Sequence, residues 1–413
     1  MTEEQPLVLD PAGSDHHAEH RALYARGAAT PVDVLGVTAW SVSDPDLLKR
    51  LLTRAAVSKD ARAHWPAFAA TVPTWPLALW VAVESMFTAH GSDHRRLRRL
   101  IAPAFSARRI AALTPVVESL VTGILDELEA LPPGEVVDLR ERLAYPLPIA
   151  VIGRMMGLST GRSSGLRTVV DRVFATTLSA EEATANTASL YRLFDELIAA
   201  KRAAPGDDMT SLLIAARDEE GDGGSLTDAE LRDTLVLMVS AGYETTVNVI
   251  DHAVTSLLTD PAQLAHVDAG RCGWEDVVEE ALRHESAIKH LPMRFALQDI
   301  PLLDGRTIRA GEAILASYAA ANRHPDWHGA DADLFDATRT NKDHLAFGHG
   351  VHFCLGAPLA RLEVATALRQ LFARFPEARL AVPAEELRPL PTLISNGHIS
   401  LPARLRPVSA SQA

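Results

Sequence analysis

A cysteine stands in a stretch rich in glycine and phenylalanine, directly before a predicted helix. Residues 347–356 read Phe-Gly-His-Gly-Val-His-Phe-Cys-Leu-Gly, and the helix opens with Ala357-Pro358. Peptide N–H groups and the positive end of the helix dipole would stabilise a thiolate at Cys354. The glycines let the backbone approach a flat ligand closely, and the phenylalanines shield the sulfur from water. The stretch therefore suits a soft metal ion that binds an anionic sulfur donor.

A glutamate and a threonine stand side by side in a long apolar stretch. Residues 241–246 read Ala-Gly-Tyr-Glu-Thr-Thr, inside a helix predicted over about 228–258. Because a carboxylate is costly in apolar surroundings, Glu244 needs a partner or a purpose. The hydroxyl of Thr245 can both donate and accept a proton, and with an acid behind it can relay protons. Gly242 has no Cβ, so a small molecule can lie against the helix.

Two plainer interpretations of Cys354 have to be weighed. A buried, inert side chain is the better interpretation of a cysteine without a motif. A zinc site formed by His349, His352 and Cys354 is the second, but structural zinc sites usually have more thiolates and a second ligand pair. The chain contains one other cysteine, Cys272. Against both interpretations stands the full pattern F-x-x-G-x-x-x-C-x-G, followed by A-x-L-A-R-x-E.

This pattern resembles the haem-binding loop and following helix of bacterial, actinobacterial-type (class I) cytochrome P450 monooxygenases. The matching residues are Phe347, Gly350, Cys354, Gly356, Ala360, Arg361 and Glu363. The resemblance implies haem b as the cofactor, with the Cys354 thiolate as the axial ligand of its iron. The second motif matches the family's A-G-x-[D/E]-T-[T/S]. It implies that Ala241 and Gly242 lie beside the haem, that Thr245 is the oxygen-binding alcohol, and that Glu244 is the acid of the proton relay.

Further charged residues match positions that the resembled family uses to hold the haem. Glu280 and Arg283, at helical spacing i, i+3, are implied to form a buried structural network with Arg339. Haem carries two carboxylates, for which cations are suited, and arginine especially. The cations at matching positions are His94, Arg98, Arg294 and His352. A solvated surface charge is the plainer interpretation of each of these four.

The substrate pocket has no motif of its own, so the resemblance implies its lining by position. The implied residues are mostly apolar: Trp80, Val83, Met86, Phe87, Met238, Ile288, Leu291, Pro292, Leu393 and Ile394. Ordinary core packing is the plainer interpretation of each. Such a pocket suits a hydrophobic and fairly rigid molecule. The stretch 80–99 and Tyr243 resemble family members that oxidise steroids or macrolide-type polyketides, so we expect one oxygen atom from O2 to enter a C–H bond of such a substrate.

An arginine-rich stretch stands out in an acidic chain. The formal net charge is −13 over 413 residues, which disfavours nucleic acid as a partner. The clustered residues are Arg95, Arg96, Arg98, Arg99, Arg108 and Arg109. A solvated face is the plainer interpretation, but a positive patch on the cysteine side of the haem would steer an acidic redox protein. We expect the electrons to come from a separate ferredoxin and ferredoxin reductase.

Two other functions stay open at this point. A haem-thiolate peroxygenase or an oxidative coupling enzyme would need no external electrons, and the intact pair of Glu244 and Thr245 argues against the peroxygenase. A non-catalytic haem sensor would not need the acid and alcohol pair at all. Substitution of Thr245 distinguishes the sensor from an enzyme.

Composition and spacing predict a mainly α fold. Hydrophobic residues make up 47% and charged residues 23%, as in chains that bury a large core. Helical spacing dominates from about 94 to 260, short strands are expected over 294–320, and a hairpin is expected over 390–407 around Asn396-Gly397. The resemblance implies the cytochrome P450 fold, a triangular helical prism with a small β-rich portion.

The same features predict the organisation and location of the chain. We expect a single domain over residues 1–413, with residues 1–30 loosely ordered and the haem-thiolate loop and its helix over 347–375. The two cysteines indicate a reducing compartment, and no apolar run reaches the roughly 18 residues needed to span a bilayer. We therefore expect a cytoplasmic protein without membrane contact.

Overall fold

Helices dominate the architecture, and the computed structural model describes them across residues 5–158, 163–218, 221 and 223–407. The α-helices in chain order are α1 (His16–Arg26), α2 (Pro45–Thr53), α3 (Ala61–His64), α4 (Phe68–Thr71), α5 (Leu79–Ala82), α6 (Gly91–Ile101), α7 (Ala107–Glu129), α8 (Pro146–Met156), α9 (Ser163–Phe174), α10 (Ala180–Ala203), α11 (Met209–Ala215), α12 (Asp228–Thr259), α13 (Pro261–Asp268), α14 (Trp274–His284), α15 (Tyr318–Asn322), α16 (Pro325–His328) and α17 (Ala357–Arg374). A π-helix spans Arg140–Ala144, and short 3-10 helices include Gly350–His352.

The strands are short and form a small part of the fold. They are β1 (Leu7–Val8), β2 (Ala29–Val34), β3 (Val37–Val42), β4 (Val57–Ser58), β5 (Val136–Asp138), β6 (Leu291–Ala296), β7 (Ile300–Pro301), β8 (Thr307–Ile308), β9 (Ala313–Ala316), β10 (Arg379–Leu380) and β11 (Pro402–Arg404). The largest sheet has the order β1-β2-β3-β9-β6-β4, in which β3 and β9 run parallel and β6 and β9 antiparallel. The strands expected over 294–320 are therefore present, and they place Arg294 within this sheet.

Helix α12 is the central element of the fold. A hydrogen-bonded cap fixes its start, and its mostly apolar sequence packs against several other helices. The hydroxyl of Thr227 accepts a hydrogen bond from the Glu230 N–H, and the Glu230 carboxylate accepts one from the Thr227 N–H. This reciprocal cap satisfies two amides that the first helical turn leaves free. The helix then continues for 32 residues and contacts α8, α10, α14 and α17. The helix predicted over 228–258 is confirmed to within one residue at its end.

The N-terminal segment differs from the expectation of loose order over residues 1–30. Its described part, residues 5–30, contains β1, α1 and the start of β2. Leu9 and Leu23 are buried in the main core, and Tyr24 donates a hydrogen bond to the Ala320 carbonyl at 2.5 Å. The polar composition indicated loose order, but the charged side chains of α1 have partners far along the chain.

The prediction of a tight two-residue turn at Asn396-Gly397 is also wrong. Pro389 and His398 form the antiparallel bridge, so residues 390–397 make a longer loop. The side chain of Asn396 is buried and donates to the Glu285 carboxylate at 2.8 Å. This buried bond takes the place of the tight turn that an Asn-Gly pair usually forms.

The core consists of one large cluster of buried apolar side chains around α12, and a smaller one between α2 and the largest sheet. No single described helix is both long and apolar enough to cross a bilayer. By length and composition alone, the bent pair Gly91–Phe105 and Ala107–Glu129 passes that test.

Candidate active site

The cysteine loop holds its sulfur against the first turn of α17. The backbone N–H groups of Gly356 and Ala357 point at the sulfur of Cys354, and the Cys354 N–H bonds the Phe347 carbonyl at 3.0 Å. Burial raises the pKa of the Cys354 thiol, whereas the two N–H groups lower it, and burial prevails. The two N–H groups would therefore stabilise a thiolate here, but burial favours the neutral thiol until a cation binds the sulfur.

The glycines of this loop do not share one task. Gly350 has a φ of +73°, and a Cβ built on it would lie 2.9 Å from the Leu52 carbonyl oxygen. Its lack of a side chain thus lets the loop pack on the end of α2. Gly350 is not among the residues that line the cavity described next, and its expected approach to a flat ligand stays a prediction. Gly356 does line that cavity.

A large cavity joins the cysteine loop to α12. Its volume is about 230 Å³, and Cys354 and Phe347 form part of its wall. Helix α12 contributes Ala241, Gly242 and Thr245 to the same cavity. The two motifs that the sequence analysis singled out therefore meet across one enclosed space, although they lie about a hundred residues apart in the chain.

The hydroxyl of Thr245 is held at the cavity wall. It donates to the Ala241 carbonyl at 2.6 Å, one helical turn back, as Thr246 does to the Gly242 carbonyl at 3.2 Å. These bonds compete with the normal helical ladder at the point where the cavity touches α12. The Thr245 hydroxyl can leave its carbonyl and donate into the cavity without breaking a backbone bond.

The carboxyl group of Glu244 faces away from the cavity. Its Oε1 accepts hydrogen bonds from Asn248 at 3.2 Å and Ser395 at 3.1 Å, and lies 3.5 Å from Arg140. Its Oε2 has no hydrogen-bond partner within the described residues. Burial raises the pKa of Glu244 to about 7, and Arg140 limits that rise. The carboxyl group is therefore a buried acid that binds and releases a proton near neutral pH.

A chain of buried charges continues from this acid towards solvent. Arg140 bonds Asp251 at 2.7 Å, and Asp251 accepts from the ring of His398 at 2.8 Å. Arg140 and Asp251 are fully buried, whereas the His398 side chain is 16% exposed. Sequence analysis missed these three residues, because nothing local marks a contact between positions 140, 251 and 398.

Four predicted cations line the cavity together. They are His94, Arg98, Arg294 and His352. Burial lowers the pKa of His94 to about 4, and burial together with Arg294 lowers that of His352 strongly. One ring nitrogen of His94 and one guanidinium nitrogen of Arg294 are buried, with no hydrogen-bond partner among the residues that the structure describes.

The unpartnered nitrogens of His94 and Arg294 show what kind of ligand the cavity needs. Buried donors without acceptors are costly, so the cavity needs a ligand that brings negatively charged oxygens to them. The two carboxylates of haem supply such oxygens, and Cys354 supplies the iron with a sulfur ligand. The residues present therefore fit haem in both its metal and its acidic groups.

The predicted structural network lies beneath the cavity. Glu280 and Arg283 form two hydrogen bonds of 2.8 Å, and Arg283 also donates to the Ala332 and Leu334 carbonyls. Arg339 reaches the same glutamate at 3.4 Å. The three predicted residues are thus brought together, with the glutamate and Arg283 fully buried.

The substrate-side residues divide into two groups. Seven predicted side chains line the large cavity or a second one of about 130 Å³: Trp80, Val83, Met86, Phe87, Met238, Ile288 and Leu291. Pro292, Leu393 and Ile394 line neither of these cavities, and their assignment stays a prediction. Leu393 and Ile394 belong to the buried core, because the loop 390–397 turns its apolar side chains inward.

Comparison with known proteins identifies the family. The sequence profile described as Cytochrome P450 matches residues 181–268 and 274–390. The chain is 39% identical to 2-hydroxy-5-methyl-1-naphthoate 7-hydroxylase of Streptomyces carzinostaticus, over 99% of each chain. CYP154A1 from Streptomyces coelicolor A3(2) has a solved structure with 70% identity and a TM-score of 0.93, covering 97% of this chain and 100% of that one. Testosterone-bound CYP154C4 from Streptomyces sp. ATCC 11861 has 40% identity and a TM-score of 0.92, covering 98% and 99%. The chain belongs to the cytochrome P450 family.

Family membership confirms the predicted fold and class of activity. This P450 has the mainly α architecture of its structural relatives, with small sheets beside the helices. It is a cytochrome P450 monooxygenase of the bacterial, actinobacterial type, and its family implies a haem-iron cofactor. The resemblance found in the two motifs was therefore a sound guide to both.

A lysine that sequence analysis missed also lines the haem cavity of this P450. Lys59 is buried, donates to the Pro292 carbonyl at 3.2 Å, and lies 3.7 Å from the centre of the Phe87 ring. Burial and the neighbouring Arg294 hold its pKa well below the ordinary value. The residue stands in an unremarkable sequence beside β4, so no local signal marked it.

The arginine-rich stretch of this P450 is partly neutralised. Arg96 pairs with Glu230, and Arg99 forms two bonds with Asp218 at 3.0 and 2.8 Å. Arg98 instead donates to the carbonyl of Phe353 at 2.8 Å. Helix α6 therefore lies against the cysteine loop, as expected, but the patch carries less free positive charge than the sequence indicates.

Arg294→Met should loosen the haem of this P450. The variant removes a cation that faces the cavity, and a hydrogen bond to a charged group contributes about 1.5–3 kcal/mol. We expect haem to transfer to apomyoglobin roughly tenfold faster or more. The exposed Arg388→Met is the matched control and should leave the rate unchanged. Equal rates for both variants would contradict the role of Arg294.

Glu244→Gln should change how stability depends on pH. Because burial raises the pKa of Glu244 from 4.5 to about 7, the folded chain binds this proton more tightly than the unfolded chain. Its stabilising contribution is therefore full below pH 4.5 and is lost as pH rises through 7. Glutamine does not ionise, so the variant should gain about 1–3 kcal/mol relative to wild type across this interval. Urea unfolding along a pH series measures the difference, and parallel curves would exclude the raised pKa.

Proposed function

We propose that this P450 inserts one oxygen atom from O2 into a C–H bond of a hydrophobic, rigid small molecule, either a steroid or a macrolide-type polyketide. A separate ferredoxin and ferredoxin reductase supply the electrons. One observation carries the proposal: the sulfur of Cys354, the hydroxyl of Thr245 and a largely apolar wall enclose the same cavity. A haem sensor would have no need of the alcohol and the buried acid behind it.

Haem b is the proposed cofactor, and bound at Cys354 it supplies the activation of dioxygen. The N–H groups of Gly356 and Ala357 hold negative charge on the sulfur. The unpartnered nitrogens of His94 and Arg294 would hold the carboxylates of the haem, and Arg98 and His352 lie in the same cavity wall. We propose that Lys59 adds to this positive field.

Thr245 is proposed to donate protons in the reaction, and Glu244 to hold a proton for it. Thr245 turns its hydroxyl from the Ala241 carbonyl and donates a proton at the cavity wall. Glu244 stores a proton close to neutral pH, because burial raises its pKa to about 7. The network of Arg140, Asp251 and His398 holds compensating charges around this carboxyl group and ends at the partly exposed His398.

The shape and lining of the cavities support the substrate class. The smaller cavity shares Ala241, Thr245 and Ile288 with the larger one, so the two meet beside the alcohol. Trp80 and Val83 line the smaller space and leave it mainly apolar. A rigid, fused-ring molecule loses little conformational entropy in such a space. The testosterone bound by the CYP154C4 relative is a molecule of this kind.

The face beside the cysteine loop supports a separate electron donor. Val351 and Phe353 are exposed apolar residues there, with Phe353 joined to α6 through Arg98. Arg95, on the same helix as Arg98, and Arg108, at the start of α7, are exposed. An apolar centre with a cationic rim suits a small acidic protein such as a ferredoxin.

The core and the two cysteines support two further parts of the proposal. The main core cluster draws on residues from Leu9 to Leu405, which supports a single domain over residues 1–413. Cys272 and Cys354 are both free thiols, which supports a reducing, cytoplasmic location.

Binding of candidate substrates tests the proposed class. We expect steroids or macrolactones to shift the spin state of the ferric enzyme at micromolar concentrations, and flexible fatty acids to do so only weakly. Phe87→Ala should weaken binding of the best compound by roughly tenfold, because a buried aromatic contact is lost. A shift that appears with fatty acids alone would contradict the assignment of a rigid substrate.

Thr245→Ala should separate electron use from product formation with the compound found in this way. The variant lacks the donor hydroxyl, so reduced oxygen should leave as peroxide and product per electron pair should fall severalfold. Thr245→Ser keeps the hydroxyl and is the matched control. Product, peroxide and NADPH are measured together in a reaction with ferredoxin and its reductase. Unchanged coupling in the alanine variant would remove Thr245 from the mechanism.

A further inference from the structure

A cluster of histidines lies where α1 meets the end of α14, away from the haem cavity. Helix α1 begins with His16-His17, and both rings face Glu285, which directly follows α14. The distance from His16 Nε2 to Glu285 Oε2 is 3.3 Å, and that from His17 Nε2 to Glu285 Oε1 is also 3.3 Å. The three ligand atoms all lie within 4.8 Å of one another.

The carboxylate of Glu285 is held from behind by two shorter bonds. Arg323 donates to Oε1 at 2.6 Å, and Asn396 donates to Oε2 at 2.8 Å. Each oxygen thus has one tight donor from the scaffold and one imidazole at a longer distance. The imidazole distances exceed the roughly 2.7–2.9 Å of a charge-assisted N–H···O bond. The scaffold therefore fixes the carboxylate, and the two imidazoles make longer contacts with it.

These longer distances match those between ligands of one metal ion. A tetrahedral zinc ion with bonds of about 2.0–2.1 Å separates neighbouring ligand atoms by roughly 3.3–3.4 Å. The tight donors to Glu285 correspond to the outer hydrogen bonds that orient ligating carboxylates in metal sites. The two histidine–carboxylate distances are therefore close to those between neighbouring ligands of one ion, and the three ligand atoms lie within 4.8 Å of one another.

A further buried histidine supports a ligand at this place. His20 lies one turn along α1, with its ring centre 5.4 Å from that of His16. Its Nε2 is buried and has no hydrogen-bond partner in the described part of the chain. A buried nitrogen of this kind is costly. A hydrated ion held by the neighbouring rings would offer it a water ligand as a partner.

We propose that His16, His17 and Glu285 form a binding site for one divalent transition-metal ion of the zinc type, distinct from the haem. Two imidazoles and one carboxylate suit Zn²⁺, Ni²⁺ or Cu²⁺ and do not suit Mg²⁺. The His17 side chain is 39% exposed, so an ion can enter from solvent and keep water at its open positions.

The ion would fasten the N-terminal helix to the substrate side of the enzyme. Glu285 stands three residues before Ile288, which lines both cavities. Its partner Asn396 belongs to the loop 390–397, which bridges to Ile288 through Ser395. An occupied site therefore ties three separate segments together, and the ion stabilises the folded chain because it binds that state.

Zinc titration of the tag-free holoenzyme by calorimetry tests the site. We expect one ion per chain with a micromolar or lower dissociation constant, and a rise in the thermal unfolding midpoint with zinc. Magnesium should produce neither effect. His17→Gln should weaken zinc binding by about tenfold or more and remove the thermal shift, since one ligand is lost.

Two controls keep the test decisive. His17 is partly exposed, so its variant should fold even where His16→Gln does not, and His266→Gln on α13 should bind zinc as wild type does. Absence of stoichiometric zinc binding in wild type would overturn the site. Equal binding by wild type and His17→Gln would also overturn it, because the zinc would then be held by other surface histidines.

Discussion

A fully buried ion pair between Glu280 and Arg283 is the interaction on which the haem side of this protein depends. Arg283 gathers the carbonyls of Ala332 and Leu334, and the glutamate accepts the Asp336 N–H, so α14 fixes the irregular segment that leads to the cysteine loop. Removing one partner of such a pair costs about 3–5 kcal/mol, since the other charge stays buried alone. The pair of Glu280 and Arg283 therefore helps to position the sulfur indirectly, through the segment that precedes the cysteine loop.

Helix α12 divides the chemistry of the site between two environments. Successive residues of a helix point about 100° apart, so Thr245 faces the cavity while Glu244 faces Arg140 and the charged network behind. The alcohol is thereby placed among apolar side chains, and the acid among groups that set its proton affinity. Thr245 thus contacts the cavity, and its neighbour Glu244 contacts a network of charged side chains that ends at the partly exposed His398.

The sequence predicted those parts whose signals are local. The cysteine loop, the extent of α12 and the pair of Glu280 and Arg283 each follow from spacing within one element. Lys59 and Arg140 were missed, because a buried charge is recognised only through partners that lie far along the chain. The same holds for residues 5–30 and for the loop 390–397. Their polar side chains indicated exposure or a tight turn, but they find buried partners such as Glu285.

The contact of Gly350 with the end of α2 means that distant parts of the chain shape the cysteine loop. The loop that presents the sulfur packs on α2, which lies roughly 300 residues earlier in the chain, and closing so long a stretch of chain costs conformational entropy. A chain that lacked α2 would therefore lose one surface against which the loop is shaped.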